Sequence, residues 1–513
     1  MVKTFAAIDI GSYELSMKIY EVTKKNGIKQ IDYIKRPFDM GTETYATGKL
    51  SSERVLELCA VLSEFRKIMK SYRTEDYVAY GTSAIRETVN STILLSQIYE
   101  RTGIRINILS NSEQRFLDYK SIAFQGQKFL NFIEKGTAIC DVGGGSVQLS
   151  LFNKDTLIST ENIRLGVLRV LDRLHTMGAS LNQYEYLVGE LAEALLSVYK
   201  KLYLKDREIE NLILIDDYVA PLICRGIIPG VENGITDLET IDKYIETFKS
   251  SGKQEMAHRL QIAEEEIPAI YASLLILKNV MLTTGAVRLW APGVTLCDGI
   301  AYEYAEKNDI VRANHSFEDD IVASAMQISK RYMGSRKRAE TLENIALNIF
   351  DNTKDIHGLS DRDRLLLRIC AILHDCGKYV SMENMAECSY NIIMSTEIIG
   401  LSHKERMIIA NTVKFNQLPF EYFDEMVVHE AIEREDHMRI AKLTAILRLS
   451  NGLDRSHKMK FKDIKVEVSG DNLFIDVETD TDVTLEKGLF GYRAEFFNEV
   501  FNLTPVIRQH RSF

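Results

Sequence analysis

Two stretches of this chain carry the same pattern of apolar and polar positions. In Phe5-Ala-Ala-Ile-Asp9-Ile-Gly11-Ser12 an apolar run ends in an aspartate, followed by a glycine and a small hydroxyl. Beyond it, Leu15, Met17 and Ile19 recur at every second position, the period of a half-buried strand. In Thr137-Ala-Ile-Cys-Asp141-Val-Gly143-Gly144-Gly145-Ser146 the same order returns, followed by Val147, Leu149 and Leu151 at alternate positions. Each stretch predicts a strand, a turn and a second strand. The two aspartates lie 132 residues apart, a spacing that predicts a duplicated unit with one loop per half. A tight hairpin with a bulge is the plainer reading of the glycine run.

Other elements follow from the same patterning. Ser52 to Ser71 reads as a helix opening from a hydroxyl cap. Tyr77–Tyr80, Ile104–Leu109 and Leu212–Ile215 read as strands, and Ile267–Leu282 as a long helix. Residues 317–455 read as helices with few strand signals. The last 55 or so residues return to alternation at Ile464, Val466 and Val468, then at Leu473, Ile475 and Val477, with a helix around Phe496 and Phe497. An α/β core of two halves, residues 1–122 and 123–312, is therefore expected before a helical domain at 313–457 and a small α+β domain at 458–513.

Composition narrows the function classes. The chain has 513 residues, 45% of them hydrophobic and 27% charged, values ordinary for a globular protein. Its net charge of −10 argues against nonspecific nucleic-acid binding, which needs a basic field. No apolar run approaches the roughly 20 residues of a membrane span, and the N-terminal residues from Met1 turn acidic too soon for a secretory signal. A cytoplasmic protein with no membrane partner is expected. The seven cysteines are scattered, and no Cys-x-x-Cys pair is present, so reduced core thiols are expected rather than disulfides or structural zinc.

Candidate chemistry concentrates in the first half. Gly11, Ser12, Gly143, Gly144, Gly145 and Ser146 suit a phosphate, because glycine leaves backbone N–H groups unshielded. Asp9 and Asp141 suit a divalent cation. Arg86, in Gly81-Thr-Ser-Ala-Ile-Arg86-Glu87, suits bidentate pairing with phosphate oxygens, or else a surface ion pair with Glu87. Glu113, in Ser110-Asn-Ser-Glu113, reads either as a general base or as a carboxylate favoured at a helix N-terminus. His374-Asp375 is a metal-type pair that needs further ligands from elsewhere.

Together these motifs, in this order, resemble the exopolyphosphatase/guanosine pentaphosphate phosphohydrolase family over nearly the whole chain, including Leu165-Gly166-Val-Leu-Arg169. The resemblance implies an actin-like core of two ribonuclease-H-like halves around a cleft. It implies hydrolysis of terminal phosphates from polyphosphate or guanosine pentaphosphate with Mg²⁺. Glu113 would be the water-activating glutamate, Asp141 a second catalytic carboxylate and Arg86 a phosphate contact. It further implies an HD-type helical domain and a homodimer. Several positions depart from the family pattern. Tyr13-Glu14 replaces Asn-Ser, and Gln148, expected beside the metal with Asp9 and Asp141, replaces a glutamate. Asp216-Asp217-Tyr218 replaces a third glycine loop, and two carboxylates there would repel a polyanion unless a cation intervenes. In the HD-like region Arg338, Cys388 and Asn451 fall where two histidines and an aspartate would stand, so an intact metal centre is not expected. These departures support a second reading, a sensor that binds polyphosphate or a guanine alarmone without turning it over. An actin-like sugar or acetate kinase fits the Gly81–Glu87 and Ser110–Glu113 segments less well.

Overall fold

The computed structural model describes residues 3–74, 76–153, 156–312, 315–461 and 464–510. The chain divides into two compact units, Met1–Ser316 and Phe317–Phe513. The expected boundary at 312/313 touches residues 313 and 314, which lie outside the described residues, as does the start at Met1 and Val2.

The first unit contains two sheets of the same build. Strands β1 (Lys3–Ile10), β2 (Glu14–Thr23) and β3 (Gly27–Pro37) form an antiparallel meander, and β4 (Asp76–Gly81) and β5 (Asn107–Ile108) add in parallel beyond β1, in the order β3-β2-β1-β4-β5. The second sheet repeats this with β6 (Thr137–Val142), β7 (Val147–Asn153) and β8 (Thr156–Ile163), joined in parallel by β9 (Asn211–Asp216). β10 (Ile235–Thr236) and β11 (Arg288–Trp290) complete the order β10-β11-β9-β6-β7-β8. Asp9 pairs with Ser16 across β1 and β2, and Asp141 pairs with Gln148 across β6 and β7. Both partners are displaced by the same 132 residues, so the duplication extends to the register.

Burial explains why these segments form strands. Every residue of β6 is buried, and Ala138, Cys140, Val142, Val147, Leu149 and Leu151 enter one core with the long helix Ile267–Thr284. The first sheet packs Ile8, Ile10, Leu15, Met17 and Ile19 against the helix Ser52–Ser71. That helix starts where expected, with the Ser51 hydroxyl accepting from the Arg54 N–H. Two expectations need correction. The Glu264–Thr284 segment is long and apolar enough to cross a membrane by length and composition, but 72% of its most apolar window is buried in the core of this unit. The strand expected at Ile104–Leu109 shrinks to Asn107–Ile108, which pair in parallel with Tyr80 and Gly81 of β4, while Ile104 and Ile106 are buried in the core outside that ladder.

The second unit is helical up to Leu453 and then forms a three-stranded sheet, β12 (Ile464–Ser469), β13 (Asn472–Glu478) and β14 (Thr504–His510), with the helix Thr484–Phe501 leading into its last strand.

Candidate active site

The two Asp-x-Gly turns close in the same way. The Gly11 N–H donates to the Glu14 carbonyl at 3.0 Å, and the Gly143 N–H to the Ser146 carbonyl at 2.9 Å. None of these loop glycines has positive φ. Their absent side chains serve close approach instead. A Cβ on Gly11 would lie 2.8 Å from the Glu14 carbonyl oxygen, and one on Gly145 would lie 2.7 Å from the Tyr45 hydroxyl. The backbone N–H groups of Gly144 and Gly145 have no hydrogen-bond partner among the described residues.

A hydroxyl cluster of the first half meets the glycine loop of the second at this point, where a Cβ on Gly144 would lie 3.2 Å from Ser12 Cβ. Ser12 Oγ lies 2.7 Å from Tyr45 Oη and 2.8 Å from Ser83 Oγ, and Tyr45 Oη lies 2.8 Å from Ser83 Oγ. Arg169 stacks on the Tyr45 ring at 4.5 Å, donates through Nε to the Gly145 carbonyl at 2.8 Å and pairs with Glu87. Sequence reasoning missed Tyr45, which no local signal marks, and gave no role to Ser83 although it lies in the Gly81–Glu87 segment singled out above.

The same contacts place Arg86. Glu87 is paired with Arg169, and Arg86 Nη1 donates to the Leu109 carbonyl at 2.7 Å. Burial lowers the Arg86 pKa, opposed by Tyr45, Glu87, Asp141 and Glu113. Glu113 occupies the third position of the helix Asn111–Ala123. Its Oε2 accepts from the Ser110 N–H at 2.9 Å and the Ser110 hydroxyl at 2.7 Å, a capping box. The helix-cap reading thus accounts for one carboxylate oxygen; Oε1 takes no hydrogen bond among the described residues.

Carboxylates dominate the electrostatics of the cleft. Burial holds Asp9 well above the usual range, and Asp217, Glu14 and Asp141 push it further up. Asp141 rises to about 7 through burial and the charges of Asp217 and Asp216, opposed by Arg115 and Arg86. Asp118, buried on the helix Asn111–Ala123, is raised first by burial and then by the charges of Asp141, Asp9 and Asp217. A lone aspartate among the buried positions of that helix was a legible signal. In the segment read as a third loop, Asp216 turns away to accept from the N–H groups of Val219 and Ala220 and from Ser273 Oγ. Only Asp217 remains toward the cleft, in the Coulomb field of Asp9 and Asp141.

Could these residues hold a divalent cation? Among the described residues, no group of three or more His, Cys, Asp or Glu side chains is arranged to chelate one. Asp9 Oδ1, Asp141 Oδ2 and Gln148 Oε1 are nevertheless buried without a hydrogen-bond partner. Two carboxylates and an amide oxygen form a hard donor set, suited to a cation that completes its shell with water and phosphate oxygens.

The second unit gives the opposite result. Arg338 places Nη1 3.3 Å from Asp375 Oδ2, Nη2 3.2 Å from Asn451 Oδ1 and Nε 3.7 Å from Asp454 Oδ2. Lys378 adds a second cation 3.5 Å from Asp375. His374 donates through Nδ1 to the Ala371 carbonyl at 2.8 Å, and burial lowers its pKa to about 4. A guanidinium at the centre of these groups does not fit a metal ion.

Comparison with known proteins follows this geometry. The profile of the Ppx/GppA phosphatase family matches residues 18–307, and that of Ppx/GppA phosphatase domain III matches residues 322–491. A guanosine-5'-triphosphate,3'-diphosphate pyrophosphatase of Photobacterium profundum is 19% identical over 454 residues, covering 86% of each chain. Exopolyphosphatase 1 of Mycobacterium leprae is 25% identical over 143 residues, 28% of this chain and 41% of that one. A bifunctional 3-dehydroquinate synthase/phosphatase of Fusobacterium nucleatum is 24% identical over 178 residues, so this chain spans about a quarter (26%) of that relative's length. An exopolyphosphatase structure from Cytophaga hutchinsonii superimposes with a TM-score of 0.52 at 16% identity, covering 61% of this chain and 99% of that one. The shared fold is the actin-like core. Two family profiles that together span most of the sequence, on a core of that fold, establish that the chain belongs to the Ppx/GppA phosphatase family.

Proposed function

We propose that this protein removes the terminal phosphate from inorganic polyphosphate or guanosine pentaphosphate. One observation carries the reading. Two glycine turns of the same build meet where Asp9 and Asp141 share one buried field, beside two unpartnered glycine N–H groups. In this reading the Gly144 and Gly145 amides, with Ser12 and Ser146, hold phosphate oxygens, Gly11 and Gly143 close the turns that present them, and Arg86 balances the charge. Asp9, Asp141 and Gln148 hold Mg²⁺, which when bound neutralises phosphate charge. Glu113 Oε1 takes the proton of the attacking water, while Oε2 stays fixed by the Ser110 cap. The buried Asp118 adds to the negative field that a cation bound at Asp9 and Asp141 would offset.

Purified protein with Mg²⁺ is expected to release orthophosphate from one or both substrates, and chelation with EDTA to stop it. Glu113→Gln is expected to slow release by roughly 100-fold or more, the usual scale for losing a general base, at an unchanged melting temperature. Equal rates for the two proteins would overturn the assignment of Glu113. Gln148, which lacks the charge of a carboxylate, favours one second reading, a sensor that binds these ligands without cleaving them. Tight binding of either ligand with no phosphate release selects it. The resemblance also implies a homodimer, which sedimentation tests directly.

A further inference from the structure

The helix that carries Glu113 packs on one face of the second sheet. Side chains alternate along a strand, so Gln148 and Ser150 of β7 share the face of Asp141 with their register partners Asn162 and Thr160 of β8. Val147, Leu149 and Leu151 turn the other way, into the core.

Arg115, two residues beyond Glu113, is only 4% exposed. Its Nη1 donates to Thr160 Oγ1 at 2.6 Å, and the Thr160 hydroxyl lies 3.0 Å from Ser150 Oγ. Its Nε donates to the Asn111 carbonyl at 3.3 Å, in the first turn of its own helix. One guanidinium therefore joins the turn that holds Glu113 to the sheet that holds Asp141. Its donors are fixed in a planar fork, so the joint is stiff.

The next turn follows the same track. The Tyr119 ring meets the Phe152 ring at 5.1 Å, two residues past Ser150 on β7. One helical turn, about 5.4 Å, thus advances one row of the sheet, roughly 6.7 Å. One turn back from Arg115 stands Asn111, and one row back from Ser150 stands Gln148, the partner of Asp141. The Glu113 turn is set toward that row, and Arg86 lies in the field of both Glu113 and Asp141.

Charge and reach are separate contributions of this arginine. Its charge opposes the rise of the Asp141 pKa, and a lysine would keep that charge. A lysine lacks the fork that spans Asn111 and Thr160.

We propose that Arg115 is a positioning residue: braced on Thr160, it holds the Glu113 turn at a fixed separation from the row of Asp141 and Gln148. This inference rests on the proposed hydrolase reading for the role of Glu113.

The test compares full-length Thr160→Val, Thr160→Ser, Arg115→Lys and the double variant Thr160→Val with Arg115→Lys, with melting curves to check that each is folded. Thr160→Val and Arg115→Lys are each expected to lower kcat roughly 10- to 100-fold, the scale of a misplaced catalytic group. KM should stay within about twofold of the parent, since substrate contacts are kept. Thr160→Ser, which keeps the hydroxyl, should stay near the parent. The double variant should lose no more than the worse single one, because both changes cut the same joint. Without substrate, amide hydrogen exchange over residues 110–116 should quicken in Thr160→Val and Arg115→Lys but not in Thr160→Ser. Parent kcat in Thr160→Val, a loss carried by KM, equal losses in Thr160→Val and Thr160→Ser, losses that multiply in the double variant, or unchanged exchange would overturn the assignment. Failure of the hydrolase reading shows separately, as no orthophosphate from the parent protein while exchange still responds to the variants.

Discussion

Alanine at Gly166 would set its Cβ 2.2–2.3 Å from the Gly145 carbonyl carbon, the Gly144 oxygen and the Ser146 nitrogen, all backbone atoms that cannot swing aside. The glycine loop would have to move, so Gly166→Ala is expected to destabilise the first unit by about 1–3 kcal/mol. It should also raise KM for any phosphate substrate more than it lowers kcat; a thermal melt and a kinetic comparison check both. Tyr45→Phe is a milder probe. It removes one hydroxyl from the Ser12–Tyr45–Ser83 cluster and keeps the ring under Arg169. The expected result is weaker substrate binding with a melting temperature within a few degrees of the parent. The glycines were legible in the sequence because their spacing repeats. Tyr45 was not, since it reaches the cleft through long-range packing without a local pattern, and Ser83 was legible only as one residue of the Gly81–Glu87 turn.

Whole elements depend on a few buried polar contacts. Lys18 on β2 reaches Asp298 at 2.7 Å, and the Tyr20 hydroxyl reaches the same carboxylate at 2.8 Å, fastening the helix Leu296–Lys307 to the first sheet. The lysine is buried, so Lys18→Met strands the Asp298 charge and is expected to lower stability by about 3 kcal/mol, measured by urea unfolding. The double variant Lys18→Met with Asp298→Asn should recover part of the loss. Elements with a strong period were readable from sequence alone. The helix Ser52–Ser71 and the strands at Ile464–Ser469 and Asn472–Glu478 lie where the apolar spacing puts them. β3 was not readable. Its residues are half-exposed along the sheet edge, so Gly27–Pro37 shows no clean alternation. The Ile104–Leu109 segment shows the reverse: apolar spacing that buries Ile104 and Ile106 yields only two residues paired with β4.

At the scale of the whole molecule, the proposed polyanionic substrates would require a chain of net charge −10 to concentrate opposite charge locally, and Arg86, Arg115 and Lys35 act on the carboxylates of the cleft. In the second unit the balance is set by Arg338 and the neutral His374. His374 has its pKa depressed from 6.5 to about 4, first by burial and then by the Arg338 charge. The folded state therefore binds fewer protons than the unfolded chain between those values, so stability is full above about pH 6.5 and falls as pH drops toward 4. The loss can reach roughly 3 kcal/mol. His374→Gln should flatten that part of the pH–stability curve, read from melting temperatures at pH 4.5 and 7. Arg338 has a further consequence, one of mass action. A metal ion in that position would tie folding of the helical unit to its free concentration, since a ligand that binds only the native state stabilises it with the logarithm of its free concentration once that exceeds the dissociation constant. An arginine side chain has no dissociation constant and cannot be diluted away. The helical unit should keep the same melting temperature through any chelator or metal titration, whereas the Mg²⁺ site proposed in the cleft of the first unit would tie that unit's stability to metal supply.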